Sequence, residues 1–250
     1  MIHRRPRALT WELARTPIRS GKGNRWSLGR IFRRIVFAII AAAVALYLFC
    51  CLCLVMLRWT EPLTTGVQIQ RRIQALAHGT PYHKRYQPVP LRRISIQLQH
   101  AVVAAEDTHF YQHHGIDWKA VDQVIQEDLD EGRIVRGGST ITQQLVKNLF
   151  LSTSRSWIRK GFEFALAPVA ELVLDKQRIL ELYLNVIEWG PGVYGAEAGT
   201  QYHYRISAAR LSRDQAARLA AVIPNPLRRR PARMSHYAGI ILGRMSQMGW

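Results

Sequence analysis

Three stretches of this 250-residue chain carry side chains that could do chemistry. The first ends at Glu106. Leu98, Val102 and Glu106 fall at i, i+4 and i+8, so the carboxyl continues an apolar helical stripe, and Ala101, Ala104 and Ala105 keep that surface small enough for close approach. A carboxylate at the end of an apolar stripe is partly desolvated, which favours its protonated form and raises its basicity. The plainer alternative is a helix end emerging into water. The second stretch is Arg159-Lys160-Gly-Phe-Glu163. Two cations in the first turn of a helix oppose its macrodipole, and Arg preceding Glu is the weaker i,i+4 order. Such a turn stabilises a helix poorly, so it is either a docking point for an anion or a solvated basic turn.

The third stretch runs from Arg136 to Asn148. Gly137 and Gly138 supply the backbone freedom of a turn before a helix. Thr140 and Gln143 have the spacing of a capping box, with Thr140 as N-cap and Gln143 at N3. The helix they open carries amides and one lysine on a single face, with Gln143 and Lys147 four apart, as are Gln144 and Asn148. A surface helix needs solubilising charge rather than clustered amides, so this one reads as the wall of a polar-ligand site. It offers no good base.

The elements that must position these groups are mostly helical. Trp118–Glu131, Arg159–Leu174, Asp175–Asn185 and Arg213–Ile223 have helical patterns, and a last helix begins near Ser235. Ile179, Leu182 and Tyr183 form the core face of the 175–185 helix, which assigns Tyr183 to packing. Glycines 190, 192, 195 and 199 around Tyr194 mark a turn-rich close approach of backbone. Strand signals are sparse, so the fold class is mainly α.

Charge and hydropathy divide the chain. The net charge is +18, of which residues 1–58 carry +10 and residues 59–250 carry +8. Residues 35–57 lack any charge and are long enough to span a hydrocarbon core of about 30 Å. Arg30, Arg33, Arg34 and seven earlier basic residues precede this run, which places residues 1–34 in the cytoplasm and the remainder outside by the positive-inside rule. The run exceeds the roughly 7–15 residues of a signal-peptide core, favouring an uncleaved anchor over a cleaved leader. The organisation expected is a basic cytoplasmic tail (1–34), a transmembrane anchor (35–57), a basic, proline-punctuated linker or stalk (58–93) and a helical domain (94–250). Because the charge excess concentrates beside the anchor, topology accounts for it and nucleic-acid binding is not expected. Cys50, Cys51 and Cys53 all lie in the anchor, so the exported portion has neither a disulfide nor a thiolate metal site.

Five motifs in this order resemble glycosyltransferase family 51, and more narrowly its monofunctional biosynthetic transglycosylases. They are Glu106-Asp-x-x-Phe110-x-x-His113-x-Gly115-x-Asp117, Gly138-Ser-Thr-Ile-Thr-Gln-Gln144 with Lys147-Asn148, Arg159-Lys160-x-x-Glu163, Lys176-x-x-Ile179-Leu-Glu-Leu-Tyr-Leu-Asn185, and Gly190-x-Gly192-x-Tyr194-Gly195. The resemblance covers roughly Ile94–Pro226. It implies a lysozyme-like helical head with a small jaw subdomain, and an inverting peptidoglycan glycosyltransferase that polymerises lipid II, with undecaprenyl pyrophosphate leaving. Glu106 is then the catalytic base and Glu163 the second catalytic carboxylate, orienting cations or donor. Asp107, Phe110, Ser139, Thr140, Gln143, Gln144, Lys147, Arg155, Arg159 and Lys160 are the implied substrate-binding residues, with Lys147 and Arg155 resting mainly on the resemblance. No tightly bound cofactor and no protein metal site are implied, although a divalent cation such as Mg²⁺ assists some relatives. The implied partners are lipid II, the growing lipid-linked glycan, the bacterial inner membrane and other wall-building proteins, with the catalytic domain in the periplasm.

Two features depart from the family pattern. His203-Tyr204 stands where relatives commonly have Tyr-Phe, and Pro168 falls inside the expected Arg159–Leu174 helix, where an interior proline costs about 3 kcal/mol. Two rival functions differ in class: a lytic murein glycosidase, which also needs a critical carboxylate but no pyrophosphate clamp, and an anchored scaffold that keeps an inactive fold.

Overall fold

The structure, a computed structural model, describes residues 25–122, 138–154 and 156–250. Helix α1 (Arg25–Met56) contains, from Gly29 onward, a segment long and apolar enough to cross a membrane. The chain divides into two compact units, the first ending at Leu46 and the second covering Tyr47–Trp250. Apolar side chains of the first unit, Phe37 and Ile39 among them, are exposed. The C-terminal part of α1 belongs to the second unit, where Cys50 and Leu54 are buried in the main core together with Leu57 just beyond the helix. The apolar run read from the sequence as a uniform span therefore has a lower end that packs as core.

Residues 58–93, expected as a stalk, contribute to that second unit. Thr65 caps α2 (Gly66–Ala77), and β1 (Arg85–Tyr86) pairs in parallel with β3 (Val193–Tyr194). β2 (Glu188–Gly190) completes the sheet, antiparallel to β3. The sheet is small because glycines, not alternating apolar residues, dominate this stretch. Gly192 and Gly195 have positive φ, and a Cβ on Gly195 would lie 2.8 Å from the Asn185 carbonyl oxygen.

The rest is helical, as composition and periodicity require. Ser95 caps α3 (Ile96–Glu106), and the central helix α4 (Ile141–Phe150) opens on the expected capping box. In that box the Thr140 N–H donates to Gln143 Oε1 (3.2 Å) and the Gln143 N–H donates to Thr140 Oγ1 (3.1 Å). Ser156 caps α5 (Trp157–Val173), and Asp175 caps α6 (Lys176–Val186). α7 (Ala196–Tyr204), α8 (Arg213–Ala220) and α9 (Ser235–Gln247) follow. α4 packs against α2, α5 and α6, while α3 packs against α8 and α9. Leu98, Leu145, Leu166, Ile179, Leu182 and Trp189 fill the shared core. Only residues 118–122 of the expected Trp118–Glu131 helix are described, and they are helical; its remainder and Gly137 lie outside the described residues.

Neither departure from the family pattern breaks the fold. α5 runs continuously through Pro168, whose ring is exposed while Leu166, Ala167 and Ala170 on the inner face are fully buried. The doubt that Pro168 cast on the second half of this helix is resolved by that burial, which offsets one missing backbone hydrogen bond. His203 Nε2 bonds the Trp189 carbonyl (2.8 Å), and the Tyr204 hydroxyl donates to the Gln215 carbonyl (3.1 Å). Both side chains thus tie α7 to its neighbours.

Candidate active site

Leu98 and Val102 are fully buried, and the stripe they belong to delivers Glu106 to the last turn of α3. The carboxyl opens on a cavity of about 1300 Å³. Gln144 Nε2 donates to Glu106 Oε2 at 2.7 Å. Burial pushes the Glu106 carboxyl above the ordinary glutamate range, and the Gln144 hydrogen bond, Lys147 and Arg229 hold part of that rise back while Asp107 adds to it. Such a group is a stronger base than a solvated glutamate.

Immediately after Glu106 the chain is clamped rather than opened to ligand. His113 Nε2 lies 3.0 Å from both oxygens of the buried Asp107, and the Ile141 N–H donates to Asp107 Oδ2 at 2.9 Å. Asp107 therefore binds the start of α4 to the end of α3. Its edge reaches the large cavity, but its oxygens are spent inside the protein. Phe110 is fully buried, under the Lys176 ammonium, and lines neither cavity. Phe110, expected among the substrate-binding residues, is placed in the core, where an aromatic ring adds much to stability. Gly115, at φ +88°, accepts the Thr140 hydroxyl at its carbonyl (2.7 Å), and a Cβ here would sit 2.8 Å from the Ala167 carbonyl oxygen.

α4 divides its polar residues between two tasks. Gln143, one of the implied substrate-binding residues, is fully buried with Oε1 committed to the capping box. Thr140 borders the large cavity, but its hydroxyl is committed to Gly115. Ser139, Gln144 and Lys147 remain, and all three line both the large cavity and a second one of about 530 Å³. The two cavities are lobes of one cleft with α4 as common wall.

The second lobe is cationic. Lys147, Arg159 and Lys160 line it with the buried Glu163. Arg159 pairs with Glu163 Oε1, while Lys160 Nζ lies 3.3 Å from Glu163 Oε2 and 2.9 Å from Ser139 Oγ. Arg159, Lys160 and Glu163 form one braced unit on α5, tied to Ser139 ahead of α4, and the burial of Glu163 argues against the solvated-turn alternative for 159–163; Lys147 faces this unit from α4. Burial lowers the Lys147 ammonium below its usual range; Arg159 and Lys160 lower it further, against the opposing pull of Glu163 and Glu106. Arg155 lies outside the described residues. Among the described residues, no group of three or more His, Cys, Asp and Glu is placed to hold a metal ion.

Several lining residues were not legible from the sequence. Arg71 of α2, in the stretch read as a basic stalk, lines the second lobe and donates through Nη2 to the buried Glu188 at 2.9 Å. The only sequence signal was a lone acid between apolar Ile187 and Trp189 in a glycine-rich stretch, which calls for a cationic partner without saying which. Arg244 of α9 and the terminal Trp250, stacked on His100 at 4.1 Å between ring centroids, wall the large lobe from the far end of the chain.

A sequence model of the transglycosylase family matches residues 71–246, spanning all five motifs. Biosynthetic peptidoglycan transglycosylases are similar over most of the chain. The protein of Laribacter hongkongensis is 48% identical over 169 residues, covering 68% of this chain and 74% of that relative. The protein of Bordetella pertussis is 45% identical over 201 residues, covering 79% and 83%. One from Pseudomonas putida is 41% identical over 224 residues, covering 88% and 91%. Glu106, Lys147, Arg159, Lys160 and Glu163 thus all lie within the matched region, and the chain belongs to the transglycosylase family.

Proposed function

We propose that this chain is a peptidoglycan glycosyltransferase that polymerises lipid II, with Glu106 as general base and undecaprenyl pyrophosphate as leaving group. The observation that carries the reading is the shared wall: α4 has a desolvated carboxylate at one lobe and a braced cation cluster at the other. The acceptor lipid II would enter the large lobe with its 4-hydroxyl toward Glu106. The growing lipid-linked glycan would place its pyrophosphate in the second lobe. Glu106 removes the hydroxyl proton as the oxygen attacks the donor C1, the bond from C1 to the pyrophosphate oxygen breaks, and the configuration inverts. An alcohol is a poor nucleophile, so a positioned base is required.

Negative charge grows on the departing pyrophosphate, and it would meet Arg159 and Lys160, held in place by Glu163, with Lys147 on the facing wall. Arg155 joins them in this proposal. Glu163 keeps Arg159 and Lys160 extended in the free enzyme and is the reason three cations can share one small lobe. Anion binding would oppose the burial that lowers the Lys147 ammonium and return it toward its usual range. A divalent cation, where one takes part, would draw its ligands from phosphate oxygens, since both Glu163 oxygens are already held by cations.

Topology fits lipid-linked substrates. We assign α1 as a single-pass anchor in the inner membrane, N-terminus in the cytoplasm and catalytic unit in the periplasm, on the basic residues that precede it. Tethering confines enzyme and substrate to one surface and raises their effective concentration. Incubation with lipid II should yield glycan polymer, and incubation with finished murein should yield no soluble fragments. The opposite pair of results would make the chain a murein glycosidase.

A further inference from the structure

Glu106 does not meet its amide partner alone. The hydroxyl of Tyr183, on the core face of α6, donates to Gln144 Oε1 at 2.9 Å, while Gln144 Nε2 donates to Glu106 Oε2 at 2.7 Å. Tyr183 has no solvent exposure. A buried hydroxyl must place its hydrogen on an acceptor, and the Gln144 carbonyl oxygen is the one within reach. A primary amide has two faces of opposite character, and once its oxygen is taken by a phenol its NH₂ must face the other way. The backbone on either side is also fixed, because Asn148 Nδ2 donates to the Gln144 carbonyl at 2.7 Å. Burial and the nearby charges of Glu106 and Asp107 hold the phenol well above its ordinary pKa, so it remains a donor throughout the working pH range.

We propose that Tyr183 is a positioning residue that sets the protonation of the catalytic base: its phenol orients the Gln144 amide so that an N–H, and not the carbonyl oxygen, faces Glu106. An N–H presented to a carboxylate favours the ionised form that accepts a proton, whereas an amide oxygen presented there favours the neutral acid. The proposal rests on Glu106 being the base. The charged and titratable groups around Glu106 are Asp107 beside it on the α3 end, Lys147 on α4, Arg229 in the segment after α8, Tyr183 on α6 and, on α9, Arg244, which lines the same cavity and donates to the Ala104 carbonyl at 3.3 Å. Tyr183 is the one that acts through the amide.

The test is the pH profile of kcat/KM for lipid II polymerisation by the full-length chain in detergent. In Tyr183→Phe the Gln144 oxygen loses its donor and the amide can turn. The acidic limb, where activity rises as the base ionises, should move up by about one pH unit, as expected for losing an oriented hydrogen bond to a charged group. Activity should fall about tenfold below the limb and return toward the parent value above it. A packing defect alone would lower activity by the same factor at every pH, and an unmoved limb would overturn the proposal. Gln144→Met removes the amide and should raise the limb in the same direction, and adding Tyr183→Phe to it should move the limb no further. Should the phenylalanine chain not fold, an unmoved limb in Gln144→Met alone overturns the proposal. Glu106→Gln separates the two levels of inference. If that chain remains active, Glu106 is not the base and both readings fall. If it is inactive while the limb of the other variants stays put, only the role of Tyr183 falls.

Discussion

The two glutamates of the cleft are the same side chain placed in opposite surroundings. Glu106 sits at the end of an apolar helix with a neutral amide as its direct partner, and burial raises its proton affinity. Glu163 is the more buried of the two, but each of its oxygens faces a cation. A carboxylate opposite an amide can accept a proton and give it up again; one locked between a guanidinium and an ammonium is consumed in holding them. The comparison teaches that the partner, more than the depth of burial, decides whether a buried acid serves as base or as brace.

Removing the proposed base should have the largest effect. Glu106→Gln is expected to lose at least about 10³-fold in polymerisation rate, at the upper end of what a positioned base contributes. The same variant should melt higher than the parent at neutral pH. The folded Glu106 pKa is raised, so the parent loses stability as pH climbs from the unfolded glutamate value through the folded one. Above that window the amide is spared the penalty, and a gain of a few degrees in Tm is expected, vanishing below about pH 4. A variant that is inactive and no more stable would mean that Glu106 is better solvated than its surroundings indicate.

Next in size is the cation lobe. Lys147→Met should cost about 10²-fold in kcat, as for loss of one preorganised group facing developing charge. Glu163→Gln should cost less, about tenfold, through misplacement of Arg159 and Lys160, and it should leave the acidic limb of the pH profile where it was. If Glu163→Gln moved that limb as far as a change at Gln144 does, the division between base and brace would collapse. The smallest effect is expected at Arg71: Arg71→Ala removes the partner of Glu188 at the rim of the second lobe and should raise the lipid II KM a few-fold with kcat nearly unchanged. Initial-rate kinetics on the purified full-length chain checks all three.

Much of this was legible in residues close together in sequence. The capping box of α4, the apolar stripe ending at Glu106, the Arg159-Lys160-Glu163 brace and the glycines around Tyr194 are local patterns, set by helical spacing and by which backbone angles glycine alone tolerates. What the motifs leave open is which of their residues face the cleft. Asp107, Phe110 and Gln143 belong to the motifs, yet they build the cleft from behind. Motif spacing identifies which residues a site needs and is silent on whether a side chain faces the ligand or the core.

The amino-acid sequence by itself determined the helical character, the apolar segment ahead of the catalytic unit, and the chemical types available to the cleft, because periodicity and composition are properties of neighbouring residues. The tertiary structure alone decided who meets whom. It brought Tyr183 within hydrogen-bond reach of Gln144, took Arg71 from the stretch read as a stalk to Glu188, and set Arg244 and Trp250 against the lobe that Glu106 opens on. Those meetings join residues 39, 117 and roughly 140 positions apart. Such distances are closed only by packing helices against one another, and that packing is fixed by the burial of the whole core rather than by any local pattern.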